Sequence, residues 1–239
     1  MDPNREQALK ELAETLQYQF KDLGLLHLAL CHSSYVHEHA GNMLSSNERL
    51  EFLGDAVLEL CVTQLLFHRY PHAREGQLSK ARSAMVNEGR LAHVARELKL
   101  GSYLLLGRGE ELQQGRNKPS LLADAMEAVL AAIYLDGGLE PADDLVRRLL
   151  GPFAETAIQR ANRKDYKTRI QEKVQEMMRI TPRYQLLEAS GPDHAKTFRV
   201  ALVIGGRQAA VGEGRSKKEA EQMAARRALE KMERPSEPA

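Results

Sequence analysis

Glu48, Glu51, Asp55 and Glu59 follow one another at spacings of three, four and four residues. A helix turns by about 100° per residue, so this spacing stacks four carboxylates into one stripe. The apolar set Leu50, Leu53, Val57 and Cys61 is offset by two residues and falls on roughly the opposite face. Taken alone, the stripe reads as the solvated side of an amphipathic helix. Asp124 and Glu127 change the weighing. They stand three apart in the run from Leu121 to Ile133, where nearly every neighbour is apolar or small. A buried carboxylate without a partner is very unfavourable. Two helices that each turn carboxylates inward can meet as an all-oxygen cage, which suits hard divalent ions, Mg²⁺ or Mn²⁺, rather than zinc. Ion pairs to Arg49, Arg82 or Arg90 are the structural alternative, and spacing does not choose between the two.

The elements that must position these acids are helical. One run extends from about Asn47 to Tyr70, where Pro71 stops it. A second goes from about Leu78 to Leu100 and ends at Gly101, a third from Leu121 to Leu135 and ends at Gly137-Gly138, and a fourth starts near Pro141. No period-two strand precedes residue 160. The short charged segment 160–165 reads as a linker, and the pattern changes after it. Ile170, Val174 and Met177 form a helical stripe. Phe198, Val200, Leu202 and Ile204 alternate as a half-buried strand, with a strand before it (Pro182 to Ala189) and one after it (Gln208 to Gly212) across a Gly205-Gly206 turn. Lys217 to Met232 is a last helix with Ser216 as its N-cap and Ala220, Met223, Ala224 and Ala228 on its apolar face. Pro235 to Ala239 reads as a frayed end. The expected fold is an all-α domain at 5–160, a linker at 161–165, and an α+β domain of α-β-β-β-α order at 164–233.

Composition fits two domains with two tasks. The chain has 239 residues and a net charge of +1, which hides a split. Residues 1–160 carry 17 basic and 22 acidic side chains, a net of −5, and residues 161–239 carry 17 and 11, a net of +6. The basic piece is a candidate for binding a polyanion. The acidic piece meets a polyanion only with a cation between them. Two cysteines with no Cys-x-x-Cys pattern exclude a disulfide framework or thiolate zinc site and point to a reducing, cytoplasmic setting. No stretch of about 18 apolar residues suggests a membrane span.

The block Asn47-Glu-Arg-Leu-Glu-Phe-Leu-Gly-Asp-Ala-Val-Leu58 resembles the signature of the ribonuclease III family almost letter for letter. Leu30-Cys-His-Ser-Ser-Tyr35 is similar to the family's upstream "THxSY" element, with Cys31 where Thr is common. Glu75-Gly-Gln-Leu-Ser79 is similar to "EGxLS", and Ala123-Asp-Ala-Met-Glu-Ala128 to the second acidic motif. By motif position, the resemblance implies that Glu51, Asp55, Asp124 and Glu127 bind metal and that Asp55 and Glu127 are catalytic. Glu48 and Glu75 then have supporting roles, and Glu59 matches no such position. It further implies a Mg²⁺-dependent endoribonuclease acting on double-stranded RNA, with Mn²⁺ as a substitute. Cuts would leave 5′-phosphate and 3′-hydroxyl ends with two-nucleotide 3′ overhangs, in ribosomal RNA precursors and structured messenger RNAs. A homodimer through the nuclease domains, with Phe52 near the interface, belongs to the same implication.

His32, His37 and His39 offer a rival, metal-free acid–base cleavage through the RNA 2′-hydroxyl. Their spacing matches no standard zinc motif, and their polar setting reads as surface or capping histidine. Two further rivals are a catalytically silent RNA-binding protein, which the intact acids disfavour, and a hydrolase of small phosphate esters, for which the last domain has no purpose.

Duplex RNA is read through shape, 2′-hydroxyls and phosphates. Thr168, Gln171, Glu172 and Gln175 lie on a helix facing away from its apolar stripe. Ser216, Lys217 and Lys218 open the last helix, whose positive end attracts phosphate. Gly191-Pro-Asp-His194 is a turn able to reach a second minor groove. Together the three elements resemble a double-stranded-RNA-binding domain. Single-strand binding favours exposed aromatic platforms, whereas this chain has no Trp and places Phe198 toward the core.

Overall fold

The structure, a computed structural model, describes residues 1–39, 45–163, 166–192 and 196–233. Two compact units divide the chain, Met1–Ile158 and Gln159–Ala239. The expected frayed end at 235–239 lies outside the described residues, as do 164 and 165 of the expected linker. Residues 160–163 of that linker continue a helix, which runs from Ala154 to Arg163.

The first unit is helical: α1 (Pro3–Leu16), α2 (Leu23–Ala29), α3 (Ser33–His39), α4 (Glu48–Arg69), α5 (Glu75–Met85), α6 (Glu88–Glu97), α7 (Arg108–Leu112), α8 (Pro119–Gly137) and α9 (Leu139–Leu150), and α10 (Ala154–Arg163) spans the division at Ile158. Helix α8 is its centre. Pro119 sits in the first turn, where its missing N–H is harmless, and Ala, Leu and Met then favour helix until Gly138 turns the chain. Leu122, Ala123, Ala125, Met126 and every residue from Ala128 to Ile133 are buried, so the helix is apolar nearly all round. It is enclosed by α2, α4, α6 and α9. Its C-terminal end is tied down at Asp136, whose carboxylate accepts from Tyr18 Oη (2.7 Å) and from the backbone N–H groups of Lys21 (2.9 Å) and Asp22 (2.9 Å).

Two sequence expectations need correction here. The run read as one helix from Leu78 to Leu100 is two, because Asn87 breaks it. The Asn87 side chain accepts the Arg90 N–H (3.0 Å) and caps α6, while its amide donates to the Ala84 carbonyl (2.8 Å) at the end of α5. The acidic stripe on α4 is not opposite the buried face. Gly54 and Leu58 are buried with Leu50, Val57 and Cys61, and Glu51 flanks them, because α8 packs across Gly54. As expected, no strand precedes residue 160 among the described residues; a single isolated parallel bridge pairs Cys31 with Leu105.

In the second unit, α11 (Tyr166–Met178) and α12 (Lys217–Glu233) pack with an antiparallel sheet ordered β1 (Arg183–Ser190), β2 (Thr197–Ile204), β3 (Arg207–Gly214). Tyr184, Leu202 and Ala210 stand in register across it. Leu202 and Ala210 join Ile170, Val174, Ala224, Ala225, Ala228 and Leu229 in one core. Gly205 and Gly206 form the β2–β3 turn. At Gly212 a methyl group would overlap the Ala220 carbonyl oxygen and the Ala224 nitrogen, so only glycine lets α12 lie this close to β3. Met177 departs from its expected place in the stripe. It is 60% exposed because the core under α11 ends at Val174. No helix of the described residues is long and apolar enough to cross a membrane.

Candidate metal centre and nucleic-acid interface

Helices α4 and α8 cross at Gly54, where a side-chain methyl would overlap the Glu127 carbonyl oxygen. That approach sets Glu127 against Glu51 and Asp55, which lie three residues before and one after Gly54. Asp124 is one helical turn from Glu127. Glu51, Asp124 and Glu127 are half-buried, and Asp55 is exposed.

The carboxylates feel one another. Burial, then the charges of Asp55, Asp124 and Glu51, push the Glu127 carboxyl up to about 8. Glu51 is raised by burial and by Asp124, Glu48 and Asp55. Asp124 is raised by burial, with His32 opposing and Glu88 adding to the rise. Among the described residues, no Lys or Arg forms an ion pair with any of the four. Arg82 instead donates to Thr63 Oγ1 (3.1 Å), and the Arg90 guanidinium lies 3.8 Å from the Phe153 ring centre. A hard divalent cation fits this set in donor chemistry and in charge: four oxygen-bearing acids, partly desolvated and uncompensated. Among the described residues, no three His, Cys, Asp or Glu side chains are grouped closely enough to hold an ion without adjustment.

The supporting acids separate. Glu48 is exposed at the first turn of α4, accepts from Ser46 Oγ (2.8 Å), and adds to the field at Glu51. Glu75 opens α5 beside Thr63, Phe67 and Arg82, level with the far half of α4, and is not brought to the other acids within one chain. Two neighbours of Asp124 escaped the sequence reading. Glu88 carries no motif signal, and its place follows from the break at Asn87. His32 stood among histidines read as surface, although its "THxSY"-like setting was a signal. His37 and His39 lie on the exposed end of α3, where the His39 ring stacks on Tyr35 at 4.1 Å between centres.

In the second unit, Thr168, Gln171, Glu172 and Gln175 are exposed on α11, on the side away from Ile170 and Val174. The starts of α11 and α12 lie side by side: Lys167 Nζ meets Glu221 Oε2 at 2.5 Å, and the Lys167 N–H donates to Gln222 Oε1 at 3.3 Å. Ser216 caps α12 by accepting the Glu219 N–H (3.2 Å), and Lys217 and Lys218 stand exposed behind it. Among the described residues neither lysine makes an ion pair. His194 lies outside the described residues.

Residues 22–152 match the model of the Ribonuclease-III-like family, and residues 166–232 match the double-stranded RNA binding motif. The chain is 49% identical over 229 residues to "Ribonuclease 3" of Borreliella burgdorferi, covering 96% of this chain and 93% of that one. It is 48% identical over 226 residues to "Ribonuclease 3" of Syntrophobacter fumaroxidans, covering 93% of each. A crystal structure of the ribonuclease III nuclease domain from Campylobacter jejuni superimposes with a TM-score of 0.55 at 45% identity, covering 60% of this chain and 93% of that one. A second structure of that Campylobacter jejuni domain is described as flexible in a region involved in dimer formation. Its TM-score is 0.56 at 44% identity, covering 60% of this chain and 96% of that one.

Proposed function

The chain belongs to the ribonuclease III family, and on that basis we propose how it acts as a double-stranded-RNA-specific endoribonuclease. Glu51, Asp55, Asp124 and Glu127 would hold divalent cations, Mg²⁺ with Mn²⁺ as a substitute. The observation that carries this reading is the α4–α8 crossing at Gly54, which gathers acids that no Lys or Arg among the described residues neutralises. The chemistry such ions supply is a lowered pKa for water and charge compensation at phosphate. Glu127, with its carboxyl near 8, would give up its proton on holding a cation, and cation binding would then release protons. Asp55, the exposed member, is the acid free to orient the attacking water. Water oxygen joins phosphorus, the bond from phosphorus to the 3′ oxygen breaks, and a 5′-phosphate and a 3′-hydroxyl remain. Glu48 tunes the field at Glu51.

The second unit brings the duplex to this site. Thr168, Gln171, Glu172 and Gln175 enter a minor groove, and Lys217 and Lys218 lie over phosphates at the positive end of α12.

One site cuts one strand, so two cuts call for two copies. A two-fold homodimer through the nuclease units matches the pseudo-symmetry of the duplex. Phe52 (83% exposed), Leu60 and Phe67 (64% exposed) line one side of α4 beside an apolar groove formed with Leu78, a surface that a second copy would cover. Ribosomal RNA precursors and structured messenger RNAs are the proposed substrates. Two buried free cysteines suit a reducing cytoplasm.

Incubating the protein with a long RNA duplex and Mg²⁺, then mapping product ends, tests the reading. Staggered cuts with two-nucleotide 3′ overhangs are expected, with none in EDTA. Undiminished cleavage in EDTA, or 2′,3′-cyclic ends, would favour the histidine mechanism instead.

A further inference from the structure

Lys167 is the second residue of α11, and Lys217 and Lys218 are the first two of α12. A cation in the first turn of a helix opposes the helix dipole, so each of these lysines gains from an anion nearby. Lys167 has one within the fold. Its Nζ lies 2.5 Å from Glu221 Oε2 and 4.5 Å from the centre of the Tyr184 ring. Tyr184 is itself fixed by its place in β1, in register with Leu202 of the core. The Lys167 backbone N–H is one of the donors that a helix start leaves without an intrahelical partner, and it donates to Gln222 Oε1 (3.3 Å). Side chain and backbone of Lys167 therefore both engage α12.

Glu221 has other cations within reach. It follows Lys218 by three residues and Lys217 by four, the spacings at which side chains on one helix meet. Turned toward them, its carboxylate would offset their charge at the end of α12 that attracts phosphate. It is turned to Lys167 instead. Glu219, the other acid of this turn, is engaged as well: its Oε2 accepts the Arg215 N–H at 2.8 Å. Lys217 and Lys218 stand exposed, and neither makes an ion pair among the described residues.

We propose that Lys167 is a positioning residue of the RNA interface: it holds the Glu221 carboxylate away from Lys217 and Lys218, so that both lysines keep their charge for phosphate. This rests on the proposed RNA interface. It gives Lys167 no contact with RNA, and it makes an ion pair within the fold responsible for the charge that α12 presents outside it.

The test is binding of the full-length protein to an RNA duplex of fixed length in Ca²⁺, measured across a KCl series. Lys167→Ala should weaken binding about three- to tenfold near physiological salt and lower the slope of log affinity against log salt by about 1. Glu221→Gln should keep the wild-type slope. Lys167→Ala combined with Glu221→Gln should recover most of the affinity that Lys167→Ala loses, and Lys167→Arg should bind like wild type. In cleavage, Lys167→Ala should raise KM and leave kcat near wild type. Lys167→Gln, which keeps most of the side-chain stem, serves the same comparison should Lys167→Ala lower the melting temperature. A mere brace between α11 and α12 would be broken equally in Lys167→Ala, in Glu221→Gln and in the double variant. Equal weakness in Lys167→Ala and the double variant would therefore overturn the role of Lys167 while leaving the RNA interface standing. So would wild-type binding by Lys167→Ala, or a loss in Glu221→Gln as large as that in Lys167→Ala. A salt slope unchanged when Lys217 and Lys218 are both replaced by Ala would overturn both.

Discussion

Glycine permits a close backbone approach twice in this molecule, with different consequences. At Gly54 the backbone of α8 presses against α4, and at Gly212 the backbone of α12 presses against β3. At the second crossing, the residues brought in are alanines, Ala220 and Ala224, both fully buried. That contact makes only core. At the first crossing, the residue brought in is Glu127, and burial beside three other acids lifts its carboxyl to about 8. The same packing device yields stability where the incoming face is apolar. Where the incoming face is acidic it yields a strained set of charges, which a cation can relieve.

The sharpest way to break this comparison is Glu127→Gln. With Glu127 in the metal-binding role proposed above, this change should lower duplex cleavage by about 10³-fold or more, measured with RNA duplex at saturating Mg²⁺, while duplex binding in Ca²⁺ stays near wild type. The same variant sharpens the electrostatic half of the argument. Because the folded carboxyl of Glu127 is raised above its unfolded value, stability in EDTA falls as pH climbs from about 4.5 toward 8. Glu127→Gln should therefore be more stable than wild type at pH 8 by about 1 kcal/mol, after discounting for solvent screening, and the gain should vanish near pH 4.5. Equal pH profiles from thermal melts would contradict the buried-charge account.

Gly54→Ala comes next. Forcing α8 away displaces Glu127 from Glu51 and Asp55, and a shift of about 1 Å can reduce turnover about 100-fold, with a loss of about 1–3 kcal/mol from overpacking. Gly212→Ala should lose similar stability but confine the damage to the second unit: weaker duplex binding, with cleavage recovering at low salt and high protein concentration. If it instead abolished cleavage under those conditions, the two crossings would not be independent.

Replacing Lys217 and Lys218 together by Ala should reduce the slope of log affinity against log salt by about 1–2, with little change in cleavage at saturating enzyme. The smallest effect on activity belongs to Asp136→Asn, which loosens the distal end of α8. Hydrogen bonds and Lys21 hold the Asp136 carboxyl below its ordinary range, outweighing the opposing effect of burial. Its stabilisation is therefore present above the unfolded pKa and lost as pH falls through the folded one. A loss of about 1–2 kcal/mol near pH 7 that shrinks below about pH 4 is expected, read from denaturant midpoints at several pH values.

Much of this was legible from residue types alone. Asp124 and Glu127 stand out because charge in an apolar run is improbable without a use, and the Gly137-Gly138 stop bounds their helix correctly. The three strands follow from alternation and from the glycine pair between them. The boundary near Asn87 was missed because apolar periodicity continues through it, and only the Asn87 side chain, capping one helix while closing another, makes the break. The stripe on α4 was misjudged because glycine has no hydropathy signal, yet Gly54 is where the partner helix lies.

The sequence by itself determined which side chains are available, and it divided an acidic helical unit from a basic α+β one, since periodicity and charge are local properties. Tertiary structure decided which of those acids meet. Glu51, Asp55, Asp124 and Glu127 come together because two backbones cross where one lacks a side chain, and Glu75, equally acidic and equally close to a motif, does not join them within the chain. Asp136, at the far end of α8, is held by Tyr18, Lys21 and Asp22, more than 110 residues away in the chain. Contacts of that range depend on how the helices stack, which no spacing along the chain encodes.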